Sequence, residues 1–110
     1  MTTFDFGNGP VPAHKHPNGG GWVADTARVA DTAYVGPDAK VFDYAWAYGD
    51  AQVSDNARIS GKAQVYGNAR ISGKAQVYGN ALVYGDTQVS GDDLVYGGRN
   101  GKRYKLVEVE

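Results

Sequence analysis

The sequence predicts an all-β solenoid, in which one chain winds into about four triangular coils of parallel strands, and three observations carry that reading. An aliphatic or small residue returns at every sixth position from Val23 to Val95: Val23, Val29, Val35, Val41, Ala47, Val53, Ile59, Val65, Ile71, Val77, Val83, Val89 and Val95. An alanine follows four positions after each of the first ten, from Ala27 to Ala81, and Thr87 then takes its place as the pattern decays. Between them falls a Gly or Asp corner, so the unit reads V-x-G-x-A-x, most cleanly in Ile59-Ser-Gly-Lys-Ala-Gln64 and Val65-Tyr-Gly-Asn-Ala-Arg70. A unit this short cannot bury its own apolar side and must stack on its neighbours.

Each element follows from the unit. In A-x-V-x-G, Ala and Val point to one side of a short strand and the x residues to the other, because side chains alternate along extended backbone. The Gly or Asp that follows tolerates positive φ and turns the chain. Three strands and three corners make an eighteen-residue coil, so the twelve units from Val23 to Leu94 make four coils. At roughly 4.8 Å per rung the regular body is about 20 Å tall.

The ends break the pattern. Residues 1–21 form an arm or cap without the repeat; they hold three of the four prolines, both histidines, Phe4 and Phe6, the phenylalanines being placed to cover an apolar surface. The repeats occupy residues 22–98. Residues 99–110 form a C-terminal cap, in which Asn100-Gly101 is a hairpin turn dipeptide and Tyr104, Leu106, Val107 and Val109 read as a final strand. Such a cap would shield the open edge of the last rung.

Composition narrows the function classes. The chain has 110 residues, 42% of them hydrophobic, enough for one small domain with a thin core. Eleven basic against twelve acidic residues, net charge −1, argue against a nucleic-acid partner and against a nucleic-acid mimic. Without cysteine there are no disulfides and no thiolate metal sites. No secretory leader or membrane-length apolar run is visible, so no membrane association and a cytoplasmic location are expected.

The repeat resembles that of the hexapeptide-repeat, left-handed parallel β-helix proteins, a group that includes many bacterial acyltransferases. The resemblance covers about two thirds of the chain and implies left-handed coiling and a homotrimer. Acyltransferases of this type carry a histidine near a subunit boundary and a long loop thrown out of one coil. Here the hexads run without insertion and there is no histidine from Val23 onward. No catalytic residue and no cofactor is therefore assigned. Short uninterrupted proteins of this kind resemble bacterial and phage accessory proteins; a phage-encoded one would work in the host cytoplasm.

Residues eighteen apart lie above one another, which sorts the outward side chains into three faces. One is polar, with Gln52/Ser54, Arg70/Ser72 and Gln88/Ser90. A second is mixed, with Trp22/Ala24, Lys40/Phe42, Arg58/Ser60, Gln76/Tyr78 and Leu94/Tyr96. The third carries Trp46, Tyr48, Tyr66, Leu82 and Tyr84, a contiguous aromatic patch of the kind monomers seldom expose, and is the candidate interface with a second copy or a protein partner. A trimer would leave clefts at its subunit boundaries for a small ligand, and His14, His16 and Trp22 are the candidate contacts.

His14-Lys15-His16 also places two imidazoles two positions apart, which on a strand face the same side, so both are candidate metal ligands. Asp50, Asn68 and Asp86 form a ladder, but at turn positions that select these residues for backbone reasons. Three classes follow: a non-catalytic oligomeric binding module that sequesters a ligand or inhibits a partner; an acyltransferase-like enzyme using His14 or His16; and a spike-tip or scaffold protein with a His-x-His metal site.

Overall fold

The computed structural model describes residues 2–7, 9–92 and 94–96. Its elements are all strands: β1 (Thr3–Asp5), β2 (Pro10–Lys15), β3 (Trp22–Ala24), β4 (Arg28–Val29), β5 (Tyr34–Val35), β6 (Lys40–Val41), β7 (Trp46–Ala47), β8 (Gln52–Val53), β9 (Arg58–Ile59), β10 (Gln64–Val65), β11 (Arg70–Ile71), β12 (Gln76–Tyr78), β13 (Leu82–Val83), β14 (Gln88–Val89) and β15 (Leu94–Tyr96). No helix is long and apolar enough to cross a membrane. From β3 onward every third strand pairs in parallel, which sorts the coil into three sheets, β3-β6-β9-β12-β15, β4-β7-β10-β13 and β5-β8-β11-β14. The register is eighteen residues throughout, as in Trp46↔Gln64↔Leu82 and Gln52↔Arg70↔Gln88. The chain is thus a β-solenoid of about four turns, as the repeat predicts. The expected C-terminal strand and cap, residues 99–110 with Asn100-Gly101, lie outside the described residues.

The inward side chains form one continuous column. Val23, Val35, Val41, Val53, Ile59, Val65, Ile71, Val77, Val83, Val89 and Val95 are completely buried, and the alanines from Ala33 to Ala81 fill the spaces between them. Burying one such Val or Ile contributes roughly 1.5–3 kcal/mol. Ala is required beside it because three strands converge on a narrow axis. Backbone bonds from each coil to the next hold the stack, with Arg58 N–H donating to the Ala75 carbonyl and Ser60 N–H to that of Val77, both 2.9–3.0 Å. Val29 is the one partly exposed member of the column, on the terminal strand β4, which pairs only with β7.

The corners follow a stricter rule than the sequence suggests. Positive φ recurs at every sixth residue from Asp43 to Gly91, with glycine at seven of these positions and Asp43 (φ 62°) and Asp55 (φ 56°) at the others. Each aspartate compensates for its strained backbone by accepting a bond in the next coil: Gly61 N–H donates to Asp43 Oδ2 and Gly73 N–H to Asp55 Oδ2, both at 3.1 Å. The first coil turns differently. Asp25, Asp31 and Pro37 stand at its corners without positive φ, and proline cannot adopt it. There the hydroxyls of Thr26 and Thr32 donate to the Asp43 and Gly49 carbonyls. In later coils a backbone N–H does that work, as from Tyr44 to Gly61 and from Asn68 to Gly85.

The N-terminal residues, expected as an extended arm or cap, form a hairpin. β1 pairs antiparallel with β2, and β2 pairs antiparallel with β3, extending the first sheet by two strands. Phe4 and Phe6 then lie over the sheet's outer surface, stacked on Trp22 and Phe42 with ring centroids 4.8 Å apart in both pairs. With Ala13 and Ala24 they make a second, external core. The segment after β2 crosses the end of the coil, where Val35 N–H donates to the Asn18 carbonyl and Gly21 N–H to that of Val35. A Cβ on Gly21 would fall 2.3 Å from the Gly36 carbonyl oxygen, so only glycine allows this approach.

Gly73 separates the two corner constraints. A Cβ there would sit 2.7 Å from Gly91 N in a positive-φ backbone. Gly73→Ala should therefore cost about 2 kcal/mol or more. Gly73→Asp should recover about 1 kcal/mol of that by accepting the Gly91 N–H as Asp55 accepts Gly73's. Urea unfolding of the two variants checks the order; equal losses would refute the corner account.

Candidate functional site

The aromatic face arises directly from the register. Trp46, Gln64 and Leu82 stand on β7, β10 and β13 as outward residues before the buried one, and Tyr48, Tyr66 and Tyr84 as those after it. Tyr48 stacks on Tyr66 at 4.9 Å and 5°, and Tyr66 on Tyr84 at 5.5 Å and 15°. Trp46 meets Tyr48 edge-on at 6.1 Å, and the Arg28 guanidinium lies 5.7 Å from the Trp46 ring centroid. All five residues singled out for this face share one sheet. Trp46 and Tyr84 remain 43% and 48% exposed.

Because the rings are stacked along the coil axis, they cover one another's faces. The Tyr48 hydroxyl donates to Gln64 Oε1 at 3.3 Å. Burial pushes the Tyr48 phenol above its ordinary range, and the neighbouring Tyr66 adds to the shift. A second stack, Tyr78 on Tyr96 at 5.7 Å, stands on the mixed face beside exposed Leu94.

The two histidines part company. His16 is buried, 3% exposed, and its Nε2–H donates to the Ala33 carbonyl at 2.8 Å. It seals the end of the first coil by satisfying a carbonyl that has no rung above it, and is unavailable to a substrate. His14, about half exposed, donates from Nδ1 to Asp25 Oδ1 at 2.7 Å and ties the hairpin to the first corner. They stand two positions apart on the segment that runs along β3, and each is held by a different partner, Asp25 for His14 and the Ala33 carbonyl for His16. Among the described residues no group of three or more metal-ligating side chains exists. Trp22, expected to touch a ligand, lies under Phe4 with Lys15 Nζ 5.6 Å from its ring centroid.

The corner ladder of Asp50, Asn68 and Asp86 lines a shallow polar groove with Gln52, Arg70 and Gln88, where Asn68 Nδ2–H donates to Asp86 Oδ1 at 3.4 Å. Sequence reasoning missed a different concavity, an apolar groove of about 280 Å³ between the hairpin and the first two coils, walled by Phe6, Val11, Phe42 and Tyr44. Its signal was Tyr44, the only aromatic at a corner position that is Thr, Asp, Asn or Lys in the eleven other units.

Strand register, buried column and repeating corners together define a β-solenoid repeat protein. Within that class, the family model described as the YdcK beta solenoid repeat matches residues 51–63, 63–74 and 75–91, the part of the coil with the most regular corners. No curated protein and no solved structure matches the chain.

Two expectations follow. His16→Ala should lower unfolding free energy by about 1–3 kcal/mol, because the Ala33 carbonyl stays buried without a donor; His14→Ala should cost about 1 kcal/mol or less, since the His14–Asp25 pair is exposed. A denaturant series that reverses this order refutes the plug role. The raised Tyr48 phenol sets an alkaline limit. An unfolded tyrosine ionises near pH 10, so this contribution to stability is complete below that pH and lost as pH rises through the folded value. Tyr48→Phe should flatten the fall in melting temperature between pH 9 and 11, values chosen roughly to bracket that pKa.

Proposed function

We propose that this β-solenoid is a non-catalytic scaffold of the hexapeptide type that self-associates through its aromatic face, as a homotrimer with the three tyrosine ladders turned toward the symmetry axis. One observation carries the reading: Trp46, Tyr48, Tyr66, Leu82 and Tyr84 form a contiguous apolar patch on a sheet whose strands are held in an eighteen-residue register. Ladder stacking alone supports the sheet, since cross-strand aromatic pairs contribute roughly 0.2–1 kcal/mol each. It gives no reason for Trp46 and Tyr84 to stay in water, and an exposed patch of this kind favours an interface.

A rigid face is also an economical one to bind, because little conformational freedom is lost on association. The enzymatic alternative weakens. His16 is occupied as an end plug, and His14 is oriented by Asp25 as a general base would be but stands half-exposed, where water is not excluded. The accessory-protein reading, in which a trimer blocks a partner or holds a ligand at its subunit boundaries, fits a chain whose chemistry lies in surface and not in a reaction centre.

Native mass spectrometry tests the assembly. The wild type should fly as a trimer, and Tyr66→Lys with Tyr84→Lys should give a monomer with an unchanged far-ultraviolet circular dichroism spectrum. A double variant that keeps the wild-type mass would remove the interface from this face.

A further inference from the structure

We propose that the groove between the N-terminal hairpin and the first two coils binds a small organic cation, an ammonium carried on an apolar body, and that Tyr44 with Asp25 and Asp43 recognises it. This site is separate from the aromatic face. Its floor and walls are Phe6, Val11, Pro12, Phe42 and Tyr44, with Asp25 and Asp43 at its edge, and among the described residues no Lys or Arg lines it. A concave, mainly apolar site with a few convergent polar groups is the usual form of a small-molecule site, and about 280 Å³ suits a ligand of one ring and a short head group.

Charge selects the ligand class. Asp43 takes the Gly61 N–H on Oδ2 and forms no ion pair among the described residues, which leaves its charge uncompensated. Asp25 accepts from His14 on Oδ1 at 2.7 Å and stands at the groove's edge. Two carboxylates beside aromatic rings attract a cation and repel an anion, and the negative π-face of a ring adds to the attraction. The nearby cation is Arg58, whose guanidinium lies 5.8 Å from the Phe42 ring centroid without lining the groove.

Sequence pattern gives independent support. The residue after each corner is Thr26, Thr32, Asp38, Tyr44, Asp50, Asn56, Lys62, Asn68, Lys74, Asn80, Asp86 and Asp92, so Tyr44 alone departs from small or charged polar types. Among the described residues it is also the most exposed large apolar side chain, at 61%, and has no aromatic stacking partner. Fold geometry does not call for a tyrosine there, since Asn serves the same corner three times.

The regular corners supply variants that keep the fold. Tyr44→Asn recreates the residue found at Asn56, Asn68 and Asn80, and Asp43→Gly recreates the commonest corner. Amide chemical shifts of the full chain would be titrated with benzyltrimethylammonium, with neutral benzyl alcohol and with anionic phenylacetate. The expected result is saturable binding of the cation with shifts centred on Ala24–Thr26 and Phe42–Tyr44, binding of the alcohol at least about tenfold weaker, and none of phenylacetate. Each variant should weaken cation binding by about fivefold or more while its oligomeric mass stays that of the wild type. Equal binding of cation and alcohol, or cation binding that Tyr44→Asn leaves unchanged, overturns the proposal. So does capture of a lysine- or arginine-containing peptide by a groove that ignores the free cation, because the occupant would then be a polypeptide.

Discussion

The eighteen-residue backbone register is the constraint on which everything else depends. A strand of two residues, such as Gln64–Val65, has almost no stability of its own; it exists because its amide and carbonyl groups meet those of the coils on either side. That register holds only if every coil has the same length, and the length holds only if every corner consumes the same residues. Hence the positive-φ positions from Asp43 to Gly91, where a side chain either is absent or, at Asp43 and Asp55, is itself drawn into the ladder. The same register stacks Tyr48, Tyr66 and Tyr84, so the candidate interface is a by-product of the rule that builds the core.

The N-terminal end meets a different problem, an edge without a next coil. Three devices share it. β2 pairs along β3, the turn after it supplies partners for Val35, and the His16 ring donates to the Ala33 carbonyl. The hairpin could have lain across the column alone, but Phe4 and Phe6 fold back over the outside of the sheet and bury Trp22 and Phe42. That fold-back leaves a gap beside the corner at Asp43–Tyr44, and the groove is this gap. Cap and groove are one piece of architecture.

Much of this was legible from the residues. The period of six gave coil length, strand register and the membership of each face, because nearly every inward position admits only Val, Ile or Ala, Thr87 departing late in the coil. Trp46, Tyr48, Tyr66, Leu82 and Tyr84 could be gathered by counting alone. The histidines could not. Their partners, Asp25 for His14 and the Ala33 carbonyl for His16, follow from how the aperiodic segment crosses the end of the coil, which no repeat records. The stack of Phe4 on Trp22 was not legible either, since Phe4 lies eighteen positions earlier in a segment without the repeat. The groove was missed because it forms between an aperiodic hairpin and a periodic coil, and only the exceptional Tyr44 betrays it.

The unlike corners of the first coil have a consequence for how the chain is made. Asp25, Asp31 and Pro37 turn without occupying a strained region of the backbone, and β1, β2 and β3 pair within the first two dozen residues. The first rung therefore has a template before later coils leave the ribosome, and its contacts span short stretches of chain. Each further coil can then close its loop of eighteen residues against an existing edge, so the aperiodic hairpin offers the repeats a starting rung.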